Sequence, residues 1–113
     1  MKIIAILLFS LVIQFVSYGQ TTHQKTTTNK TIIVYGSPDC HHCIDTKKFL
    51  TDNNINFVFC DIDHDKTAVQ EMLSKLKAAK ISTSNLGIPV IDKYGEIFQN
   101  KGNFDDFLKK IKE

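Results

Sequence analysis

The chain has 113 residues, room for one small domain. Its formal net charge is +2, and all fourteen basic residues are lysine. No basic stripe stands out, so a nucleic-acid surface is not indicated, and bidentate arginine clamps on phosphate or carboxylate are excluded. Three cysteines are too few for a disulfide-stapled scaffold.

The first nineteen residues read as an export signal. Lys2 supplies the positive start, and residues 3–16 are apolar apart from Ser10 and Gln14. Ser17-Tyr18-Gly19 then offers small residues where signal peptidase reads, which sets cleavage after Gly19. The run is shorter than the ~20 residues of a membrane span, and an uncleaved anchor is the alternative. Export, to a periplasm or outside the cell, places the chain where disulfides persist. Residues 20–30 are polar and threonine-rich, with nothing to bury, and read as a flexible tether.

The folded domain is expected over 31–113. Residues 31–36 form a short β-branched strand. A Gly36-Ser37-Pro38-Asp39 loop leads into a helix over 41–53, with Cys43, Thr46, Phe49 and Leu50 inward and Asn53-Asn54 at its end. Residues 56–60 are a second strand and 61–65 an acidic connection containing His64. Residues 66–80 are an amphipathic helix carrying Val69, Met72, Leu73 and Leu76 at helical spacing. Residues 82–85 are a loop, and 87–91 a third strand entered through Pro89. Lys93-Tyr94-Gly95 turns a hairpin into a return strand over 96–99. Asn103 caps a last helix, with Asp105 and Asp106 in its first turn and Phe104, Phe107, Leu108 and Ile111 on its apolar face. The order β-α-β-α-β-β-α gives an α/β domain: a mixed four-stranded sheet with helices on both faces.

The segment Cys40-His41-His42-Cys43 carries the chemistry. Two cysteines three apart at a helix start share one side of the first turn, close enough to form a disulfide. Unpaired backbone N–H groups and the helix dipole favour negative charge there, and the thiolate is the reactive form of cysteine. A bridge across so short a loop removes little chain entropy, so it would be a poor structural staple. Cys60, near the end of an apolar strand, reads as a small core residue. His23 in the tether and His64 read as solvated.

This element order, with CxxC after the first strand and Ile88-Pro89 opening the third, resembles the thioredoxin fold. Residues 34–43 (VYGSPDCHHC) look most like the glutaredoxin branch, as does Lys101-Gly102-Asn103-Phe104-Asp105-Asp106 at the last helix. Gly87-Ile88-Pro89 is closer to thioredoxin itself. The resemblance implies that Cys40 attacks and Cys43 resolves, that Pro89 follows a cis bond, and that Ile88 offers backbone groups to an extended substrate. His41 and His42 would tune the pair, an imidazolium stabilising the Cys40 thiolate. The chain departs from the glutaredoxin pattern at Ser37, where a basic residue is usual, inside CxxC, and at Asn103, where a second glycine binds glutathione. Glutathione is therefore not counted on, and no cofactor or metal is expected. Val34 stands where thioredoxin carries a buried acid, so that proton relay is absent.

The reading is an exported, monomeric thiol–disulfide oxidoreductase acting on protein thiols and disulfides and served by a membrane or soluble redox partner. Two alternatives stay open: a Cys/His metal module, for which the second ligand pair is missing, and a non-catalytic thioredoxin-like binding domain.

Overall fold

The computed structural model describes residues 30–113. The expected signal and nearly all of the expected tether lie outside the described residues. Seven elements follow in the expected order. They are β1 (Ile32–Gly36), α1 (His41–Asp52), β2 (Phe57–Asp61), α2 (Lys66–Ala78), β3 (Val90–Lys93), β4 (Glu96–Gln99) and α3 (Phe104–Lys112). The sheet runs β2-β1-β3-β4. β1 pairs parallel to β2, with Tyr35 beside Cys60, and antiparallel to β3, with Val34 beside Ile91. β3 and β4 close the antiparallel hairpin.

Alternation along β1 divides the core, because successive side chains of a strand leave opposite faces. Ile32 and Val34 join Leu50, Ile91, Phe98, Phe107 and Ile111, so α1 and α3 cover one face. Tyr35 joins Met72, Leu76 and Val90, so α2 covers the other. Each of these aliphatic side chains, when fully buried, contributes roughly 1.5–3 kcal/mol.

The helix ends follow the local sequence. The Asn53 amide donates to the Phe49 carbonyl at 2.8 Å, and Asn54 takes a left-handed φ of 55° that stops α1. Asp65 caps α2 by accepting from the Thr67 and Ala68 N–H groups. Asn103 caps α3, with Asp105 and Asp106 in its first turn and Lys109, Lys110 and Lys112 in its last. The β3–β4 turn has positive φ at both Tyr94 and Gly95, and Asp92 Oδ1 accepts from the Gly95 N–H at 2.8 Å.

Two expectations need correction. The third strand begins at Val90, not Gly87. The Ile88–Pro89 bond is cis, and the polar groups of this stretch are taken by β4 and the residue after it. The Gly87 N–H goes to the Gln99 side chain, the Ile88 carbonyl to the Asn100 amide and the Pro89 carbonyl to the Asn100 N–H. Leu73 does not point inward; it is 41% exposed, and the buried stripe of α2 is Ala68, Met72 and Leu76. Among the described residues a single helix lies on that face, so only a narrow stripe of it meets the sheet.

Candidate active site

β1 ends at Gly36, a position where nothing larger fits. A Cβ built there would lie 2.6 Å from Cys43 Sγ and 3.2 Å from Phe59 Cε2. The chain then turns through Ser37, whose carbonyl accepts from the Cys40 N–H at 3.2 Å. Ser37 Oγ accepts from the Asp39 N–H and donates to the Asp63 carboxylate, which fastens this loop to the β2–α2 connection.

Cys40 is the N-cap of α1, with φ −78° and ψ 122°. Its Sγ accepts from the Cys43 N–H at 3.3 Å, so sulfur takes the place that a serine or aspartate oxygen holds in an ordinary cap. Cys40 is half-buried and Cys43 fully buried, and both are free thiols. Burial, helped by a hydrogen bond to Cys40, pushes the Cys43 thiol up to about 12; the Ser37 N–H and Lys47 pull weakly the other way. The site therefore holds one reachable sulfur above one buried, protonated sulfur.

The two histidines diverge. His41 Nε2 lies 3.1 Å from Asp45 Oδ2 one turn along α1, and its side chain is 85% exposed. His42 leans toward α3. Its ring stacks on Phe104 at 4.3 Å between centroids and 16° between planes, and its Nδ1 meets the Asn100 amide at 3.0 Å. The His42 carbonyl accepts from the buried Thr46 hydroxyl at 2.6 Å, which satisfies a polar group facing the core. Through Asn100 the structure brings His42 and the Ile88-Pro89 loop together.

Cys60 is half-buried against the α2-side cluster, and burial raises its thiol. His64, expected to be free in solvent, is exposed but paired with Asp61 at 2.7 Å, which raises the imidazole. Among the described residues, no group of three His, Cys, Asp or Glu side chains is placed to share a metal ion.

Sequence reasoning missed Asn100 and the polar cluster behind β1. Asn100 lies 58 positions from His42, and no local pattern announces the pairing. In the cluster, Tyr35 OH donates to Glu71 at 2.6 Å, while Lys75 Nζ donates to Tyr35 OH at 2.6 Å and to Asp92 at 2.7 Å. Burial and the bond to Glu71 raise the Tyr35 phenol to about 12, and these partners raise Lys75 despite its burial. The Glu71–Lys75 spacing of four is a visible signal for part of it. Val34, by contrast, is fully buried among apolar side chains, as its type requires.

Known proteins agree with this geometry. The family model for glutaredoxin matches residues 32–92, from β1 to the start of β3. The "uncharacterized glutaredoxin-like 8.6 kDa protein in rubredoxin operon" of Clostridium pasteurianum is 33% identical over 81 residues, spanning 70% of this chain and 99% of its own. Among solved structures, the thioredoxin-like protein BC3987 superposes with a TM-score of 0.53 at 25% identity, over 71% of this chain and 97% of its own. Glutaredoxin (grx-1) from Archaeoglobus fulgidus also reaches 0.53, at 19% identity, over 73% of this chain and 85% of its own. A thioredoxin-type sheet, a CxxC pair at the start of its first helix and a family match running through both place the chain in the glutaredoxin family.

Proposed function

We propose that this chain is an exported thiol–disulfide oxidoreductase that exchanges disulfides with protein substrates through Cys40 and Cys43. The observation that carries the reading is the division of the pair: Cys40 half-buried at the helix cap, Cys43 fully buried beneath it and held protonated. An attacking sulfur has to be reached, and a resolving sulfur has to wait.

The Cys40 thiolate attacks one sulfur of a substrate disulfide, and that S–S bond breaks. A Cys40–substrate disulfide forms, and the released substrate thiolate takes up a proton. Cys43 then gives up its proton and attacks Cys40 Sγ. The Cys40–Cys43 disulfide forms and the second substrate thiol leaves. The substrate gains two electrons and the protein loses two, so a dithiol donor must restore it; run in reverse, the steps oxidise a substrate dithiol. Ile88 and Pro89 supply the backbone against which an extended substrate lies, and His41 and His42 stand between the two cysteines in the chain. The chain acts as a monomer and needs no cofactor; its redox partner is membrane-bound or soluble. Export rests on Lys2, the apolar run 3–16 and the small residues at 17 and 19. A secreted form whose mass begins at Gln20 supports it, and a form retaining the apolar run marks an anchor instead.

The test is to trap the intermediate. Reduced C43A mixed with a disulfide-bonded protein should form a one-to-one adduct that reductant releases, and C40A should form none. Adduct from neither variant, or from both, refutes the assignment. The reduction potential then gives the direction: about −270 mV marks a reductant and about −120 to −180 mV an oxidant or isomerase. A C40S strain that behaves like wild type while the deletion does not would favour a non-catalytic binding domain.

A further inference from the structure

We propose that Asn100 is a positioning residue, joining the His42 ring to the Ile88 carbonyl and so holding the CxxC helix in register with the loop where substrate pairs. Its functional half rests on the redox reading above; its geometric half does not.

The Asn100 side-chain nitrogen carries two hydrogens and has two acceptors, Ile88 O at 3.1 Å and His42 Nδ1 at 3.0 Å. The Ile88 carbonyl can only accept. Turning the amide over would set Oδ1 against that carbonyl, so the nitrogen is fixed there. His42 Nδ1 then faces a donor and must present its lone pair, which leaves the ring neutral with its proton on Nε2. An imidazolium would oppose one N–H to another. Stacking on Phe104 restrains the ring from swinging clear. Of the titratable groups around it, the His41 centroid lies 6.1 Å away and Cys43 flanks it on the same helix, while Phe104 and Asn100 carry no charge.

Asn100 is itself held from two sides. Its N–H donates to the Pro89 carbonyl at 3.0 Å. Its own carbonyl oxygen packs so closely on Gly87 that a Cβ there would lie 1.7 Å from it. One amide therefore links three separate stretches of chain: the start of α1, the 87–89 loop and the end of β4. The sequence suggests a charged His42 acting on Cys40 through space. The geometry points instead to a neutral ring tied to the substrate loop.

Two variants of the full chain test this, N100D and N100A, with the His42 nitrogen resonances identified by their loss in H42Q. In wild type near neutral pH the ring proton should sit on Nε2. In N100D the carboxylate can only accept, so Nδ1 should carry a proton. In N100A, kcat/KM with disulfide-bonded insulin should fall at least about fivefold, as expected when both side-chain hydrogen bonds, to Ile88 O and His42 Nδ1, are lost. The rate at which Cys40 reacts with dithiodipyridine should not change. An Nδ1 that stays unprotonated in N100D, or an N100A loss that is equal for insulin and the small disulfide, overturns the proposal. Wild type inert toward insulin overturns the redox reading instead, and the ring spectra alone then decide the Asn100 linkage.

Discussion

Replacing Gly36 with alanine should expose how tightly β1 is fitted to the buried Cys43 thiol. The new Cβ would lie 2.6 Å from Cys43 Sγ, about 1 Å inside ordinary contact, and 3.2 Å from both Cys43 Cβ and Phe59 Cε2. The two longer contacts can relax by a few tenths of an ångström. The short one cannot, because Cys43 is fully buried under the first turn of α1. Overpacking of this kind costs about 1–3 kcal/mol. With a urea m-value of about 1 kcal/mol/M for a domain this small, the reduced G36A protein should lose roughly 1–3 M from its midpoint. A double-mutant cycle isolates the cause. C43A removes the sulfur and leaves the Cβ, so G36A in that background should cost about 1–2 kcal/mol less than in wild type. An equal cost in both backgrounds would place the clash on Phe59 or on the Cβ of residue 43 and refute the sulfur argument; no cost in either would refute the fit of the strand end altogether.

Cys43 and Tyr35 are held protonated, raised from 9.0 and 10.0 to about 12, so the unfolded chain releases these protons first. Their contribution to stability is complete below pH 9 and is lost as pH rises through about 12. Urea midpoints should therefore fall above pH 9, and fall less in the disulfide form, where Cys43 no longer titrates; equal losses in both forms would contradict the assignment. K75M leaves the Asp92 carboxylate and the Tyr35 hydroxyl without their cation, and should cost about 2 kcal/mol in urea unfolding. A loss under about 0.5 kcal/mol would rank the cluster with surface ion pairs. Y94N should stabilise the hairpin by about 0.5 kcal/mol, since asparagine accepts a φ of 54° more easily than tyrosine and the gain exceeds the lost Lys30–ring contact. A lower melting temperature in Y94N would show that the ring matters more than the turn.

Much of this fold is local, and that much can be read from the chain. Asn53-Asn54, Asp65 and Asn103 act through hydrogen bonds within a few residues, so composition alone places the helix ends. The CxxC site is likewise local, since the thiols, the N-cap geometry and the turn all lie within 37–43. Other features depend on pairings across the sheet, and there the reading fails or falls silent. Leu73 fits the helical period as well as Leu76 does; its exposure follows from how much of α2 the sheet can cover. The start of β3 moves to Val90 because side chains and backbone 10 or more positions away take up the polar groups of 87–89. Tyr35, Lys75 and Asp92 come from three elements that only the finished topology sets side by side.

The difference in burial between the two cysteines has the same origin. Their sequence surroundings barely differ, each beside a histidine in one short helix start. What separates them is that β1 ends in a residue without a side chain. Gly36 opens the space that Cys43 Sγ fills, and burial there keeps that thiol protonated. Cys40, three residues earlier, sits outside the helix proper as its cap, with its sulfur on the Cys43 N–H. The asymmetry should therefore track the strand end more than the histidines. Exchanging His41 and His42 for glutamine should leave Cys43 unreactive toward a thiol label in the folded reduced protein. G36A, by forcing that sulfur out of its place, should make it reactive. Labelling of Cys43 in the histidine variants but not in G36A would reverse the ranking.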